Sequence, residues 1–191
     1  ENDIESIREA KEKTLEQLVN CPGPMTFCFD GHGGPDAIYL TEGQDPNLNS
    51  RFDVKITVEE FVEALIKRYK NKTKLMPVFI GQSEYNQVGY SDFHDEYGSD
   101  FLSHTLGLLN NTDSSLGDVI DADLTQESSN PSIYIPSTQD LAQRDILIFA
   151  SCFNATFIRA VIDELQIEYP EMGDIMQLAE STEQSSDSMT T

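Results

Sequence analysis

A chain of 191 residues, 38% of them hydrophobic, can bury one sizeable core, and the length fits a single globular domain. With 34 acidic against 12 basic residues the net charge is −22, which repels nucleic acid and anionic membrane surfaces and argues against both as partners; a basic substrate or a cation fits better. No run of about 18 apolar residues is present to span a bilayer and no basic-then-apolar leader opens the chain, so a soluble piece is expected. The three cysteines, Cys21, Cys28 and Cys152, form an odd set with neither a disulfide framework nor metal spacing, and at least one thiol is expected to be free. A sequence opening on Glu-Asn-Asp reads as a piece of a longer polypeptide, which leaves localisation open.

In chain order, Ile4, Ile7, Leu15 and Leu18 recur among charges at helical spacing and predict an amphipathic helix over 3–19, stopped at Asn20 and Pro22 and laid on one face of a sheet. Residues 25–29 form an apolar run expected as a buried strand, with Cys28 in the core. The run ends at Asp30 and delivers His32 among Gly31, Gly33 and Gly34. Residues 37–40 are a short apolar arm able to pair back as a hairpin. Thr57 is a good N-cap with Glu60 three residues on, and Phe61, Val62, Leu65, Ile66 and Tyr69 line one face of the helix that follows. The basic cluster over 67–74 is expected as a solvated cap at that helix's C-terminus. Residues 75–80 predict a second buried strand, broken at Gly81.

From 83 to 100 the chain is polar and aromatic, with Asp92, His94, Asp95, Glu96 and Asp100 crowded together. Clustered carboxylates suit calcium, but the regular spacing of a calcium-binding loop is missing and the stretch reads as a solvated loop. Residues 100–109 carry helical spacing, 118–131 read as a polar excursion, and 133–135 as an edge strand. Residues 146–152 then repeat the earlier pattern, an apolar strand ending on Ser151-Cys152, followed at once by a helix through Phe157, Ile158, Val161, Ile162 and Leu165. Residues 175–179 predict one more short strand. The segment 180–191 is polar and expected to be disordered. The domain reading is therefore one α/β unit over 1–179, with 82–144 as an insertion or loop-rich region.

Two buried strands ending on His32 and Cys152 are a candidate dyad. Glycines beside His32 leave backbone N–H groups uncovered by side chains, and a strand, tight turn and helix set Cys152 at a helix N-terminus, where dipole and unpaired N–H groups stabilise a thiolate. The His-Gly strand end, the apolar arm, the helix and the later strand ending in small residue and cysteine before a helix together resemble the caspase-like cysteine peptidases, the group of caspases, metacaspases, legumain and gingipains. The resemblance covers about residues 25–165. It implies a mostly parallel central sheet with helices on both faces and an endopeptidase that needs no cofactor and acts on a protein or peptide substrate. Carried over, His32 matches the catalytic histidine, Cys152 the nucleophile, and Gly33 supplies a backbone N–H that joins that of Cys152 in an oxyanion hole.

The chain departs from that family in three respects. The separation of His32 and Cys152 is far longer than usual, a helix at 3–19 replaces two strands that normally precede the histidine strand, and the strand over 75–80 falls nearer the usual place of the cysteine strand. If that strand is the equivalent, Ser83 stands in the nucleophile position and the protein is an inactive pseudo-peptidase; the strand-to-helix elbow favours Cys152. A rival resemblance is also present. Asp30-Gly-His-Gly-Gly34 is similar to the signature of metal-dependent serine/threonine phosphatases, in which Asp and Gly contact metal ions, although the acidic ligand expected before it and the Gly-Ser-Thr-Ala strand expected after it are missing, and Pro35 suits a loop where the phosphatase has a helix. A noncatalytic interaction module is the third reading. For the peptidase, the acidic charge points to Arg or Lys before the cleaved bond, held by a buried carboxylate that the sequence does not identify; Asp30 is near the dyad in sequence but could as easily cap the turn.

Overall fold

The computed structural model describes residues 2–40, 54–70, 77–81, 132–136, 144–151, 153–170 and 175–179, with side chains described outside 2–4, 132–136 and 175–179. Within them are helices α1 (Asn2–Asn20), α2 (Val58–Lys70) and α3 (Asn154–Glu168) and strands β1 (Thr26–Asp30), β2 (His32–Gly33), β3 (Ala37–Tyr39), β4 (Lys55–Thr57), β5 (Val78–Gly81), β6 (Ser132–Pro136), β7 (Ile146–Ala150) and β8 (Ile175–Ala179). The strands form a five-stranded sheet in the order β1-β7-β5-β6-β8 and a three-stranded antiparallel sheet in the order β2-β3-β4. In the larger sheet β1, β7 and β5 pair in parallel, whereas β6 runs antiparallel to both its neighbours. The protein is thus α/β, with a mixed central sheet whose parallel part is β1, β7 and β5.

Parallel register puts Phe27, Leu147 and Phe79 on one face, followed by Phe29 and Phe149. That face meets α2 and α3 in one core. At its centre Phe27, Phe61, Phe149 and Phe157 interlock, with neighbouring centroids 5.6–5.9 Å apart in edge-on or tilted arrangements, each pair adding about 0.5–1.5 kcal/mol beyond area burial. Among the described residues all three helices lie on this side, α1 as an outer layer against α2, so the expected helix on the sheet is a helix on a helix. Helices on both faces are accordingly not seen among the described residues, although Val78, Ile80 and Ile148, which point the other way, are buried too.

Several sequence expectations need correction. Cys28 is exposed, not core, because it alternates away from Phe27 and Phe29 on β1, the strand at the sheet's edge. β6 is not an edge strand, since β8 pairs on its far side; it also brings part of the supposed 82–144 insertion into the sheet. β4 was not anticipated, being a three-residue strand whose pairing with β3 is nonlocal. The acidic stretch at 83–100, Ser83, the helix expected at 100–109, the excursion at 118–131 and the tail at 180–191 lie outside the described residues.

The largest departure concerns Arg68, placed by its sequence in a solvated basic cluster. It is only 2% exposed, and all five of its N–H groups are used. Nε and Nη2 donate to Asp145 Oδ2 and Oδ1 (2.5 and 2.8 Å), Nη1 to the carbonyls of Leu18 and Cys21, and Nη2 to that of Gly23. Asp145 also accepts from the Met25 N–H and the Tyr69 hydroxyl. Burial and then the Asp145 charge hold the Tyr69 hydroxyl well above its ordinary pKa, so it stays a donor. Replacing Arg68 by Ala would leave the buried Asp145 carboxylate without its counter-charge and remove the Arg68 donors from three carbonyls; a loss of about 3–5 kcal/mol is expected in urea unfolding, with Arg68→Lys intermediate because an ammonium lacks the planar fork.

The capping box at the start of α2 forms as its sequence implies. The Glu60 N–H donates to Thr57 Oγ1 (3.3 Å) and the Thr57 N–H to Glu60 Oε2 (3.0 Å), while Lys11 of α1 reaches Glu60 Oε1 at 2.6 Å. Partial burial pushes the Glu60 carboxyl up, but the hydrogen bonds from Lys11 and the Thr57 N–H outweigh it and leave the pKa lowered. A lowered folded-state pKa gives stability that is present above the ordinary glutamate value of about 4.3 and lost as pH falls through the lower folded value. The stability difference between the wild type and Glu60→Gln should therefore shrink on acidification below about pH 4 in thermal melts, and stay constant near neutrality.

Candidate functional site

The carboxyl ends of β1 and β7 lie side by side. Thr26 pairs with Ile146 and the register runs through to Asp30 against Ala150, after which the Gly31 N–H still donates to the Ala150 carbonyl (3.2 Å). His32 follows Asp30 by two residues and Cys152 follows Ala150 by two. Neighbouring strands are about 4.8 Å apart, so the chain leaves β1 towards His32 one strand spacing from where it leaves β7 at Ala150. Cys152 itself lies outside the described residues; Ser151 and Phe153, to which it is bonded, are described. β5, which leads towards Ser83, is one strand further from β1 than β7 is.

His32 opens a hairpin. It pairs with Tyr39 and Gly33 with Ile38, and the turn is closed by the Gly34 N–H donating to the Ala37 carbonyl (2.8 Å). In an antiparallel ladder hydrogen-bonded and non-hydrogen-bonded pairs alternate. Because 34/37 is bonded, 33/38 is not, and the Gly33 N–H points away from β3. The hairpin is held by Ile38, buried in the core beside Ile56 of β4, while His32 is on the exposed side. Gly34 is required by Tyr39, whose hydroxyl stands 2.9 Å from where a Cβ would be. The chain thus turns at Pro35 and Asp36 into a strand.

Asp30 ends β1 with its side chain on the exposed face, and partial burial pushes its carboxyl pKa up. Among the described residues it has no ion-pair partner, whereas Asp36, Asp145 and Asp163 are each paired with a base. Among the described residues no three carboxylate, imidazole or thiol groups stand close enough to hold a metal ion.

On the other strand the turn into α3 breaks two local rules. Phe153, the N-cap, has φ 52° and ψ 20°, the left-handed region that a residue with a Cβ enters at a cost of roughly 1–2 kcal/mol. Ser151 is buried, and its Oγ has no hydrogen-bond partner among the described residues. Both flank Cys152. Phe153 makes no side-chain cap, and the first turn of α3 carries no acidic residue. Asn154 and Gly81 were not anticipated: Asn154 is fully buried at the helix start, and a Cβ on Gly81 would stand 2.5 Å from its Oδ1 and 3.0 Å from Ile158 Cδ1. The only sequence signal was the glycine closing an apolar run.

Comparison with protein-family models, with curated proteins and with solved structures finds no match to this chain.

Because α3 sits directly on Gly81, Gly81→Ala should move the helix start or strain the sheet. A loss of about 1–3 kcal/mol is expected in urea unfolding, from steric overlap with Asn154 and Ile158; Gly23→Ala, with open space around it but a positive φ, would instead cost about 1–2 kcal/mol of backbone strain.

Proposed function

We propose that this chain is a caspase-like cysteine endopeptidase domain with Cys152 as nucleophile and His32 as acid and base. The observation that carries the reading is the in-register parallel pairing of β1 with β7, which ends at Asp30 opposite Ala150, two residues short of His32 and Cys152 respectively. Support also comes from the strained residue at 153 and the unpartnered hydroxyl at 151, since departures from local preference gather at functional sites.

In the proposed reaction the Cys152 thiolate, favoured by the N-terminus of α3, attacks the scissile carbonyl carbon. The carbonyl oxygen gains the negative charge, which the N–H groups of Gly33 and Cys152 stabilise. His32 as imidazolium gives its proton to the leaving amine as the C–N bond breaks, leaving a thioester. His32 then takes a proton from water, whose hydroxide attacks the thioester and releases the acid and the thiolate. This sequence uses no cofactor. Asp30 is the acid proposed to receive a substrate Arg or Lys: it stands at the same sheet edge, partly desolvated and without an ion-pair partner among the described residues. The hairpin after Gly34 occupies the place where the phosphatase resemblance implies a helix, which makes that rival the weaker reading.

Peptidyl electrophiles bearing Arg or Asp beside the warhead test the proposal by intact mass and adduct mapping. One adduct per chain at Cys152, lost in His32→Ala, is expected, with the Arg probe preferred and that preference falling about tenfold in Asp30→Asn. Labelling no faster than in unfolded protein would sink the peptidase reading. Manganese-dependent phosphate release from a chromogenic ester would then favour the phosphatase, and neither activity a binding module.

A further inference from the structure

We infer that the groove between α1 and α2 is a docking site for a basic amphipathic helix of a partner protein, a property of the chain that is independent of the peptidase reading. The groove encloses about 330 Å³. Its floor is apolar: Leu15 and Val19 of α1, both partly exposed, meet Ala64 of α2, and all three are continuous with the hydrophobic core. Its walls are acidic, with Glu16 on one side and Glu60 and Glu63 on the other.

The acidic wall of α1 extends beyond the groove. Glu5, Glu9, Glu12 and Glu16 recur at i, i+4, i+7 and i+11 and therefore share the face of α1 that flanks Leu15 and Val19. Over those positions the helix rises roughly 16 Å, the length of about three turns of a partner helix. Like charges so spaced repel one another and weaken the helix that carries them. Of the four, Glu9 has Lys13 at 3.9 Å, whereas Glu5, Glu12 and Glu16 enter no ion pair among the described residues. On the α2 wall Glu60 is held by Lys11 (2.6 Å) and Glu63 by Lys67 (2.7 Å), so among the described residues the uncompensated charge of the groove lies along α1.

An apolar strip beside a row of carboxylates is complementary to a helix with apolar residues at i, i+3, i+4 and i+7 and Lys or Arg on their flank. Such a helix sets its apolar residues on a floor that the core already supports, and its cations meet the carboxylates that α1 leaves unpaired. A second copy of this chain fits worse, because at a net charge of −22 it would bring acidic wall against acidic wall. A surface of anionic lipid is repelled for the same reason.

The test is fluorescence anisotropy of the full chain with a labelled synthetic peptide of about 15 residues, with leucines at i, i+3, i+4 and i+7, lysines on their flank, and a benzophenone for crosslinking. Saturable binding that weakens as salt rises is expected, with crosslinks mapping to 15–20 or 60–67. A peptide of the same composition with its leucines scattered should bind at least about tenfold more weakly, and so should the original peptide to the double variant Glu12→Lys, Glu16→Lys. The double variant Glu164→Lys, Glu168→Lys on α3 changes the net charge by the same amount and should bind as the wild type does, as should Asp30→Asn. All these positions are exposed, and a thermal melt checks that each variant is folded. No binding, equal affinity for the scattered peptide, crosslinks outside the groove, or equal losses in the α1 and α3 variants overturns the inference. Crosslinks near His32 with binding lost in Asp30→Asn would place the peptide at the candidate peptidase site, and sedimentation of the free chain as a dimer that the α1 variant alters would give the groove to a second copy; either result also overturns it. The electrophile labelling that tests the peptidase reading is unaffected by any of these outcomes.

Discussion

The ion pair between Arg68 and Asp145 is the constraint on which the rest of the structure depends. Asp145 immediately precedes β7, and its four acceptor positions are filled by Arg68 twice, by Tyr69 and by the Met25 N–H, while its own carbonyl accepts from the Val78 N–H. One residue therefore sets the starting points of β1, β7 and β5 and ties them to the C-terminal turn of α2. The pair is buried, with side chains 2% and 6% exposed. Its desolvation is offset by complete hydrogen bonding rather than by bare attraction between charges. Register is the consequence. In a parallel sheet a slip of one residue would exchange Phe27 and Phe149 for the residues on the opposite face, and the aromatic core would not form.

Fixing the register at one end of the sheet fixes the geometry at the other. From the Asp145 anchor, five paired residues lead to Asp30 and Ala150, and the chain then diverges into the hairpin of His32 on one side and the start of α3 on the other. The anchor and the candidate site lie at opposite ends of the same strands, so the buried charges bear on that end only through backbone alignment. At the other end the local chemistry is different: a carboxylate at Asp30 without an ion-pair partner among the described residues, a backbone N–H at Gly33 turned away from its hairpin, a hydroxyl at Ser151 without a partner among the described residues and a left-handed Phe153. One end of the sheet is saturated with hydrogen bonds. The other end carries the exposed Asp30 and the strained Phe153 instead.

Much of this was legible in the sequence because the signals are local. The capping box of Thr57 and Glu60, the helical spacing of α2 and α3, the apolar runs of β1, β5 and β7, and the short arm of β3 each follow from residues within one turn or one strand. His32 and Cys152 could be singled out because each ends such a run. Cys28 and Arg68 were misjudged for a common reason. An alternating strand position is core only if its face is covered, and a basic residue at a helix end is solvated only if nothing packs over it; both conditions depend on distant segments.

The sequence by itself determined most of the elements, the net charge, and the candidate residues at the ends of two apolar runs, since propensity, periodicity and composition act over a few residues. Only the tertiary structure decided that β7, and not β5, lies beside β1, that Arg68 and Asp145 meet across a large span of chain, and that Asn154 reaches back over Gly81 to the carbonyls before Cys152. Strand order and buried pairing are chosen by which nonlocal contacts bury most apolar surface while leaving fewest polar groups unsatisfied, and that choice is made by the whole chain at once.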